Sequence, residues 1–509
     1  MARQRRSSHI LYYFFQLSLI FTALPACTPN SVSSRDEVRI TLGSPPASLD
    51  PRLATDATGM GISSLVFTAL FHLDTKLGLV GELAESWSYK DLTYTFTLRP
   101  GLEFSNHLPV SAEDILFSFS EFMSPKSPFS SNFKMIEHID AQYSEVERKL
   151  KIKLKSFSSS FLTDLRVIKI LPKELILKNP QSFTSRPIGS GSFFIEKDDS
   201  NLIQLRARPS SLNLKPKIKT FSLYFVRDDY TRFLKLLTHE VDIAENEIDL
   251  RRVSEFTKHP EEFEVQKNPS LSMAYILINL RRDVFKDVRV RKALALALNR
   301  SDLIKYKLEN LALPATSLLS PIHPMFNFEL TNSGYDLMSA KELLSKVVLP
   351  NEKISFKSSN AASAVENVSI IVNQFKKLGL QFKQQSYEWG TFYSDIKSGN
   401  FDLALSKWIG LVDADIYRQA FHSKETPPGR NRGFYKNESF DLIVAKALQT
   451  EDFAVRHKLY LEAQKIVFDE LPIIPMWYDL DIAIVSRRIK NFHAYPSGDF
   501  QFANEIEKE

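Results

Sequence analysis

The residues of this sequence best suited to chemistry lie between Phe401 and Phe421. The stretch reads FDLALSKWIGLVDADIYRQAF and places Trp408 shortly before two carboxylates, Asp413 and Asp415. An aromatic ring can pack against a bound molecule, and a carboxylate can pair with a cation. The apolar alternation that begins at Phe401 indicates a half-buried strand ending near Trp408. Ligands of α/β folds bind at strand ends, so this stretch is a candidate binding-site floor; a core tryptophan beside solvated acids is the competing interpretation.

The segment before this stretch has the pattern of a strand, a helix and a second strand. Ile354 and Phe356 mark the first strand, and Leu380 and Phe382 mark the second. Apolar residues between them recur at helical spacing up to a stop at Gly379: Val365, Val368, Ile371, Val372, Phe375 and Leu378. Such a unit predicts two parallel strands with a right-handed crossover, which places Trp408 at the end of an α/β sheet.

Size and composition indicate a multidomain globular protein. The chain has 509 residues, which is more than one hydrophobic core normally supports, so two to four domains are expected. Hydrophobic residues make up 43% and charged residues 25%, the proportions of an ordinary folded chain. The 38 phenylalanines belong mostly in the core, and some could line a large cavity.

The first 26 residues have the features of an export signal. Three arginines precede an apolar run from Ile10 to Ala23 that is short for a membrane span. The run is followed by Leu24-Pro25-Ala26-Cys27, and Cys27 is the only cysteine of the sequence. These four residues resemble the lipobox of bacterial lipoproteins, which implies lipidation of Cys27 after cleavage. A simple secretory signal with a chance cysteine is the alternative, and residues 27–37 are predicted to be a tether.

Removing that segment leaves 62 basic against 60 acidic residues, because the segment contains three arginines and no acid. The mature protein is therefore nearly neutral. With no basic excess and no nucleic-acid motif, a nucleic-acid partner is not expected.

Six motifs, taken together, resemble the family 5 solute-binding proteins, the oligopeptide, dipeptide and nickel receptors of bacterial ABC importers. They follow the family's order along the chain: Ala84–Trp87 with Thr95–Phe104, Ser111–Ser118, Pro187–Phe193, Glu240–Ala244, Phe285–Leu294, and Arg456 with Leu459–Gln464 and Pro472–Pro475. Ser111 is predicted to cap a helix that begins AEDILFSF. The arginines of Phe285–Leu294 are interpreted as structural charge partners at a helix start. The Gly-x-Gly of Pro187–Phe193 has no third glycine or lysine after it, so a nucleotide site is rejected.

The resemblance implies an α/β, two-lobed periplasmic binding protein fold (type II, cluster C) with an additional inserted domain. On that map the first lobe comprises residues 38–70, 185–270 and 478–509. The insert covers residues 71–184, and the second lobe covers residues 271–477.

The resemblance also implies how the ligand is held. In peptide-binding members an extended peptide lies between the lobes and pairs its backbone with one segment from each, and hinge closure buries it. The matching first-lobe segment here is Thr55, Asp56 and Ala57. The apolar segment after it, Ile62 to Leu70, has helical spacing and predicts a helix. The matching second-lobe segment is Ser406, Lys407, Trp408 and Ile409.

The sequence departs from the family pattern at position 411. Peptide-binding members carry an aspartate three residues after the tryptophan, where it pairs with the ligand's free α-amino group. This chain has Leu411 there, and the nearest acid after it is Asp413. Either Asp413 takes over that role, or the ligand has no free amine, or Asp413 and Asp415 are plain surface residues.

Other functional classes lack their motifs in this sequence. No HExxH, GxSxG, Walker loop or cysteine cluster occurs, so no enzyme activity, cofactor or metal site is expected. His422 is interpreted as a solvated or satisfied histidine. The resulting hypothesis is a monomeric, lipid-anchored periplasmic receptor that passes a peptide or other small solute to ABC permease subunits. A receptor for a chelated metal and a ligand-free structural lipoprotein remain as alternatives.

Overall fold

The computed structural model describes residues 35–208, 212, 215–332, 334–349 and 352–509. The predicted signal peptide and Cys27 lie outside the described residues. None of the helices within those ranges is long and apolar enough to cross a membrane.

The strands of the described chain are short except for two. Their bounds are β1 Glu37–Leu42, β2 Phe71–Leu73, β3 Leu79–Gly81, β4 Ala84–Lys90, β5 Thr93–Leu98, β6 Ile136–Tyr143, β7 Arg148–Leu154, β8 Phe193–Asp199, β9 Leu202–Ala207, β10 Thr220–Phe225, β11 Ile243–Glu245, β12 Phe263–Ile278, β13 Ala312–Pro314, β14 Ile354–Ser359, β15 Phe382–Tyr387, β16 Leu403–Trp408, β17 Ile473–Ser486, β18 Ile489–Lys490 and β19 Glu507–Lys508.

The α-helices lie between these strands. Their bounds are α1 Ala57–Val66, α2 Ala112–Met123, α3 Phe161–Asp164, α4 Lys173–Lys178, α5 Pro180–Ser185, α6 Asp229–Leu237, α7 Leu250–Phe256, α8 Asp283–Lys286, α9 Val288–Leu296, α10 Arg300–Lys307, α11 Leu337–Ser345, α12 Ala362–Phe375, α13 Trp389–Ser398, α14 Ile416–Phe421, α15 Glu438–Gln449 and α16 Phe453–Glu470. Short 3₁₀ helices add Ser130–Phe133, Leu165–Val167, Lys376–Leu378, Ser423–Glu425 and Gln501–Asn504.

One large mixed sheet connects the two lobes. Its strand order is β15-β14-β16-β12-β17-β11-β1-β10-β9-β8, and β13 pairs with β17. The long strands β12 and β17 run antiparallel through its centre, between the second-lobe strands β14–β16 and the first-lobe strands β1 and β8–β11. Their pairing is irregular between Pro269 and Met273, and the predicted lobe boundaries at 270/271 and 477/478 fall close to this irregularity.

The predicted insert carries its own four-stranded antiparallel sheet, in the order β4-β5-β7-β6. Its buried side chains join those of the first lobe in one continuous hydrophobic core. The second lobe instead has two cores, one on each face of its part of the large sheet.

Two local predictions are confirmed in detail. The strand, helix and strand unit is β14, α12 and β15, its two strands pair in parallel, and Gly379 has a left-handed φ of 82° just past the helical segment. Ser111 caps α2 in a reciprocal arrangement with Asp114, as its position before AEDILFSF indicates.

Two other local predictions were wrong in part. Strand β16 is not half-buried at its start, because Leu403 and Ala404 are both fully buried, each in a different second-lobe core. A central strand that is covered on both faces buries successive residues. In the sequence pattern the small Ala404 counts among the solvent-facing residues, although it is buried. The helix expected from Ile62 to Leu70 begins earlier, at Ala57, and ends at Val66.

Candidate functional site

The first-lobe segment Thr55–Ala57 lies at the start of α1. Asp56 has an extended backbone and caps the helix, its Oδ1 accepting from the Gly59 amide at 2.9 Å. Its Oδ2 also accepts from the Ala47 amide at 3.1 Å. The Asp56 carboxylate is therefore engaged within the protein, which leaves Thr55 and Ala57 as the exposed positions of this segment.

The second-lobe segment lies on a strand with one partly open edge. Strand β16 pairs with β12 from Leu403 to Trp408, but it pairs with β14 only at Leu403 and Ala404. From Leu405 to Trp408 the edge on the β14 side has no ladder partner among the described residues. Ser406 is half-buried on this strand, and Lys407 is exposed with its ammonium 2.6 Å from Asp479.

Trp408 packs against the second lobe. Its ring stacks on Tyr275 at a centroid distance of 6.2 Å, and the Arg432 guanidinium lies 5.9 Å from its centroid. These residues, with Arg430 and Tyr435, line a cavity of about 300 Å³ that we call the Trp408 cavity. Its lining residues all belong to the predicted second lobe.

The turn after Trp408 separates an exposed residue from a buried one. Ile409 is 76% exposed, whereas Leu411 is 6% exposed and packs in a second-lobe core. Gly410 between them has a left-handed φ of 64°, a conformation that glycine adopts without strain. The Leu411 amide donates to the Leu271 carbonyl at 3.1 Å. The position at which family members carry an acid is thus a core position in this structure.

Asp413 lies two residues further on, in a second cavity. This Asp413 cavity measures about 520 Å³, and its lining comes from two parts of the chain. The predicted insert contributes Leu77, Ser159 and Thr163. The predicted second lobe contributes Val412, Asp413, Ala414, Phe453, Arg456, Tyr460 and the loop His323–Met325. Burial raises the pKa of Asp413 to about 6, the Asp415 carboxylate adds to the rise, and Arg456 and Arg418 oppose it.

The neighbouring Asp415 is committed to the protein itself. Its two oxygens accept from the Arg418 guanidinium at 2.8 and 2.7 Å, and it is almost fully buried. Such a two-point ion pair leaves it little capacity for a ligand. Of the two acids noted in the sequence, Asp413 alone lines the cavity.

A carboxylate of the insert, Asp164, was not identified from the sequence. It ends α3 and accepts hydrogen bonds from Ser160 at 2.9 Å and from Asn132 at 3.1 Å. Burial, and next the charge of Asp413, raise the pKa of Asp164 to about 7. The charges of two carboxylates from different parts of the chain therefore interact, and a cation bound near both would stabilise their ionised forms.

The other sequence predictions on charged residues can be located. Arg289 forms a fork on Asp287, and Arg291 donates to the carbonyls of Glu470 and Phe285, so both are structural as predicted. His422 Nδ1 accepts from the Lys424 amide at 3.1 Å, which confirms a satisfied histidine.

The Gly-x-Gly turn serves close packing. A Cβ on Gly189 or Gly191 would lie about 2 Å from a carbonyl at the end of α1, and only glycine permits that approach. This contact explains the two glycines without a phosphate ligand.

The comparisons with known proteins agree with this architecture. Residues 78–426 match the family model of bacterial extracellular solute-binding proteins, family 5 Middle. The chain is 26% identical over 497 residues to Heme-binding protein A of Haemophilus influenzae, covering 89% of each protein. It is 25% identical over 528 residues to the Dipeptide-binding protein of Escherichia coli, covering 96% of this chain and 97% of that one.

A solved structure shares the fold. HbpA2 from Haemophilus parasuis superposes with a TM-score of 0.83 at 22% identity, over 93% of this chain and 100% of that chain. The family match spans more than half of the sequence and includes β16, the Trp408 cavity lining up to Phe421, and Asp413. This chain belongs to the bacterial extracellular solute-binding proteins of family 5.

Proposed function

We propose that this protein captures short peptides with a free N-terminal amine, holding the ammonium group between Asp413 and Asp164. The observation that carries the proposal is a pair of half-buried carboxylates, Asp413 and Asp164, whose charges interact and whose pKa values are raised mainly by desolvation. An ammonium group placed between them would favour the ionised form of both.

The open edge of β16 supports an extended peptide as the ligand. Main-chain groups from Leu405 to Trp408 face the β14 side without a ladder partner in the described chain, so a peptide backbone can add there as a further strand. Such pairing is indifferent to ligand side chains and suits a receptor for varied peptides. The ligand's first residues would lie near Trp408 and Ile409, and the first-lobe contacts would come from Thr55, Asp56 and Ala57.

Hinge closure would connect capture to transport. The Asp413 cavity is lined by residues of both the predicted insert and the predicted second lobe, so opening of the lobes would separate its two walls. A ligand that contacts both sides stabilises the closed form. The irregular pairing between Pro269 and Met273, where β12 and β17 pass between the lobes, is the proposed hinge.

We also propose a cellular location and a transporter partner for the protein. Lipidation at Cys27 would anchor a monomer in the periplasm through the tether of residues 27–37. There it would deliver its ligand to ABC permease subunits, with no catalytic activity of its own. The lobe and insert boundaries given above are part of this proposal.

Titration calorimetry with matched ligands tests the function. Tri-alanine should bind, and N-acetyl-tri-alanine should bind about a hundredfold more weakly, because losing one partner of a buried charge pair costs about 3 kcal/mol. Asp413→Asn should abolish the preference for the free amine. Asp283→Asn, which changes an exposed carboxylate, is the matched control and should bind as the wild type does.

Two outcomes would contradict the proposal. Equal affinity for the free and the acetylated peptide would show that Asp413 and Asp164 do not bind the ligand's ammonium group. No heat with either peptide or with a mixed peptide library would remove peptides as the ligand class, and mass spectrometry of co-purifying molecules would then identify the bound solute.

A further inference from the structure

A larger cavity lies within the second lobe, apart from the two described above. It measures about 760 Å³ and is framed by α9, the start of α10, α11, the end of α16 and the start of β17. We call it the Arg300 cavity. Its lining residues all come from the predicted second lobe, so hinge closure would leave its walls together.

Arg300 is the unusual residue of this cavity. Its Nε donates to the Pro475 carbonyl at 3.0 Å, and among the described residues no carboxylate forms an ion pair with it. Burial alone lowers the pKa of Arg300 to about 10. Arg300 is half-buried and lines the cavity without a counterion among the described residues, and its fork geometry matches a carboxylate.

Lys292 is the second cation of the cavity. It is exposed at the rim and forms no ion pair within the described chain. The other polar groups of the lining have partners in the protein. Asn332 donates to the Ala315 carbonyl at 2.9 Å, the Thr316 side chain interacts with the Tyr478 hydroxyl, and the one acid, Asp469, is held by Lys465 at 2.8 Å. The cavity therefore carries an excess of positive charge.

The remaining walls are apolar. Leu296, Leu343, Phe468 and Leu471 line the cavity beside the polar groups. A ligand that fills such a space needs a hydrocarbon body as well as a charged end, because covering the apolar walls removes them from water.

We propose that the Arg300 cavity binds a small monocarboxylate with a hydrocarbon body. The carboxylate would accept from the Arg300 guanidinium, with Lys292 nearby at the rim. The hydrocarbon body would pack on Leu296, Leu343 and Phe468. This site is separate from the peptide site, so the protein would hold two ligands at once.

Binding of hexanoate to the full-length protein, followed by calorimetry and ligand-observed NMR, tests the proposal. We expect one saturable site for hexanoate and none for hexylamine, which has the same body and the opposite charge. Arg300→Gln should weaken hexanoate binding about tenfold or more, as loss of a charged hydrogen-bonding partner does. Lys292→Glu should weaken it several-fold, and Leu343→Trp should block it by filling the cavity.

Two controls separate this site from the peptide site. Asp413→Asn should bind hexanoate as the wild type does, and peptides should not compete with hexanoate. If Arg300→Gln does not fold, Lys292→Glu at the exposed rim and Leu343→Trp decide the question. Absence of saturable binding, equal binding of hexylamine, or unchanged affinity in both Lys292→Glu and Leu343→Trp would overturn the proposal.

Discussion

Trp408 and Asp413 are five residues apart in sequence, but the two cavities named after them are lined by different parts of the chain. The first is lined by second-lobe residues alone, with Arg430 and Arg432 among them. The second is lined by the insert as well as the second lobe, and it contains a carboxylate whose pKa is raised. A cavity lined by one lobe can bind a ligand while the lobes are open. A cavity lined by two parts of the chain is complete only in the closed form, when those parts are in contact. Affinity and closure should therefore respond differently to changes at the two cavities.

The largest effect is expected at Leu411, between the two cavities. Leu411→Asp would place an unpaired carboxylate in the second-lobe core and should reduce the free energy of unfolding by about 4 kcal/mol. Calorimetric unfolding measures this loss. Ile409→Asp, at a position that is 76% exposed, is the control and should change stability by no more than about 0.5 kcal/mol.

Leu411→Asp also restores the aspartate that peptide-binding members of the family carry at this position. If Leu411→Asp folded with full stability and bound free-amine peptides more tightly, the turn would have to reorient, and the comparison between the two cavities would fail. The structure instead favours Asp413 as the acid that acts in this region.

The second effect is at Asp413 and should appear in both affinity and closure. Asp413→Asn should cost about 3 kcal/mol in binding of a free-amine peptide, because it removes one partner of a buried charge pair. Small-angle scattering should then show no compaction at a peptide concentration that compacts the wild type. A variant that still closed on peptide would place the closure contacts elsewhere.

The third effect is at Trp408 and should appear in affinity with closure intact. Trp408→Ala should weaken peptide binding by about 2 kcal/mol if the ring packs on the ligand. At saturating peptide the variant should compact as the wild type does, since the Trp408 cavity lies within one lobe. Trp389→Ala, which changes a ring that is 58% exposed, is the control, and an affinity equal to that control would remove Trp408 from the site.

The smallest effect is the pH dependence of peptide binding. Asp413, with a pKa of about 6, must lose its proton to hold an ammonium group. Affinity should therefore rise with pH, by about tenfold between pH 5 and pH 7, where the peptide amine stays protonated. Calorimetry across this range measures the rise, and Asp164→Asn should move it to lower pH because Asp413 loses a neighbouring negative charge.

The same raised pKa values predict an opposite trend for the stability of the ligand-free protein. Between about pH 4 and pH 7 the folded protein binds more protons at these two carboxyls than the unfolded chain does. Their contribution to the free energy of unfolding therefore falls as pH rises through that range. Thermal unfolding of the ligand-free wild type and of Asp413→Asn at each pH would compare the two slopes, and the slope of the variant should be shallower.

Local sequence patterns correctly predicted the structural features that depend on residues near one another in the chain. The α2 cap at Ser111, the helical stop at Gly379 and the parallel pair β14 and β15 follow from spacing and turn chemistry. These features depend on contacts within a few tens of residues, so the sequence contains their signals.

The rest depended on contacts between distant parts of the chain. Asp164 has no motif around it, and its relation to Asp413 arises only when the insert meets the second lobe. Leu411 reads as an apolar residue in a loop, and its burial depends on packing that the loop sequence does not encode. The positions named for ligand contact, Thr55–Ala57 and Ser406–Ile409, stay predictions, and the Asp56 carboxylate is already occupied as a helix cap.

The open edge of β16 has a further consequence, for solubility. An unpaired strand edge can pair with the same edge of a second molecule, and this is how many folded proteins begin to aggregate. Lys407 places an exposed charge on this edge, a residue type that discourages such pairing. A bound peptide would cover the same backbone groups. We therefore expect the protein without ligand to self-associate more readily at high concentration than the loaded protein, and Lys407→Ala to widen that difference.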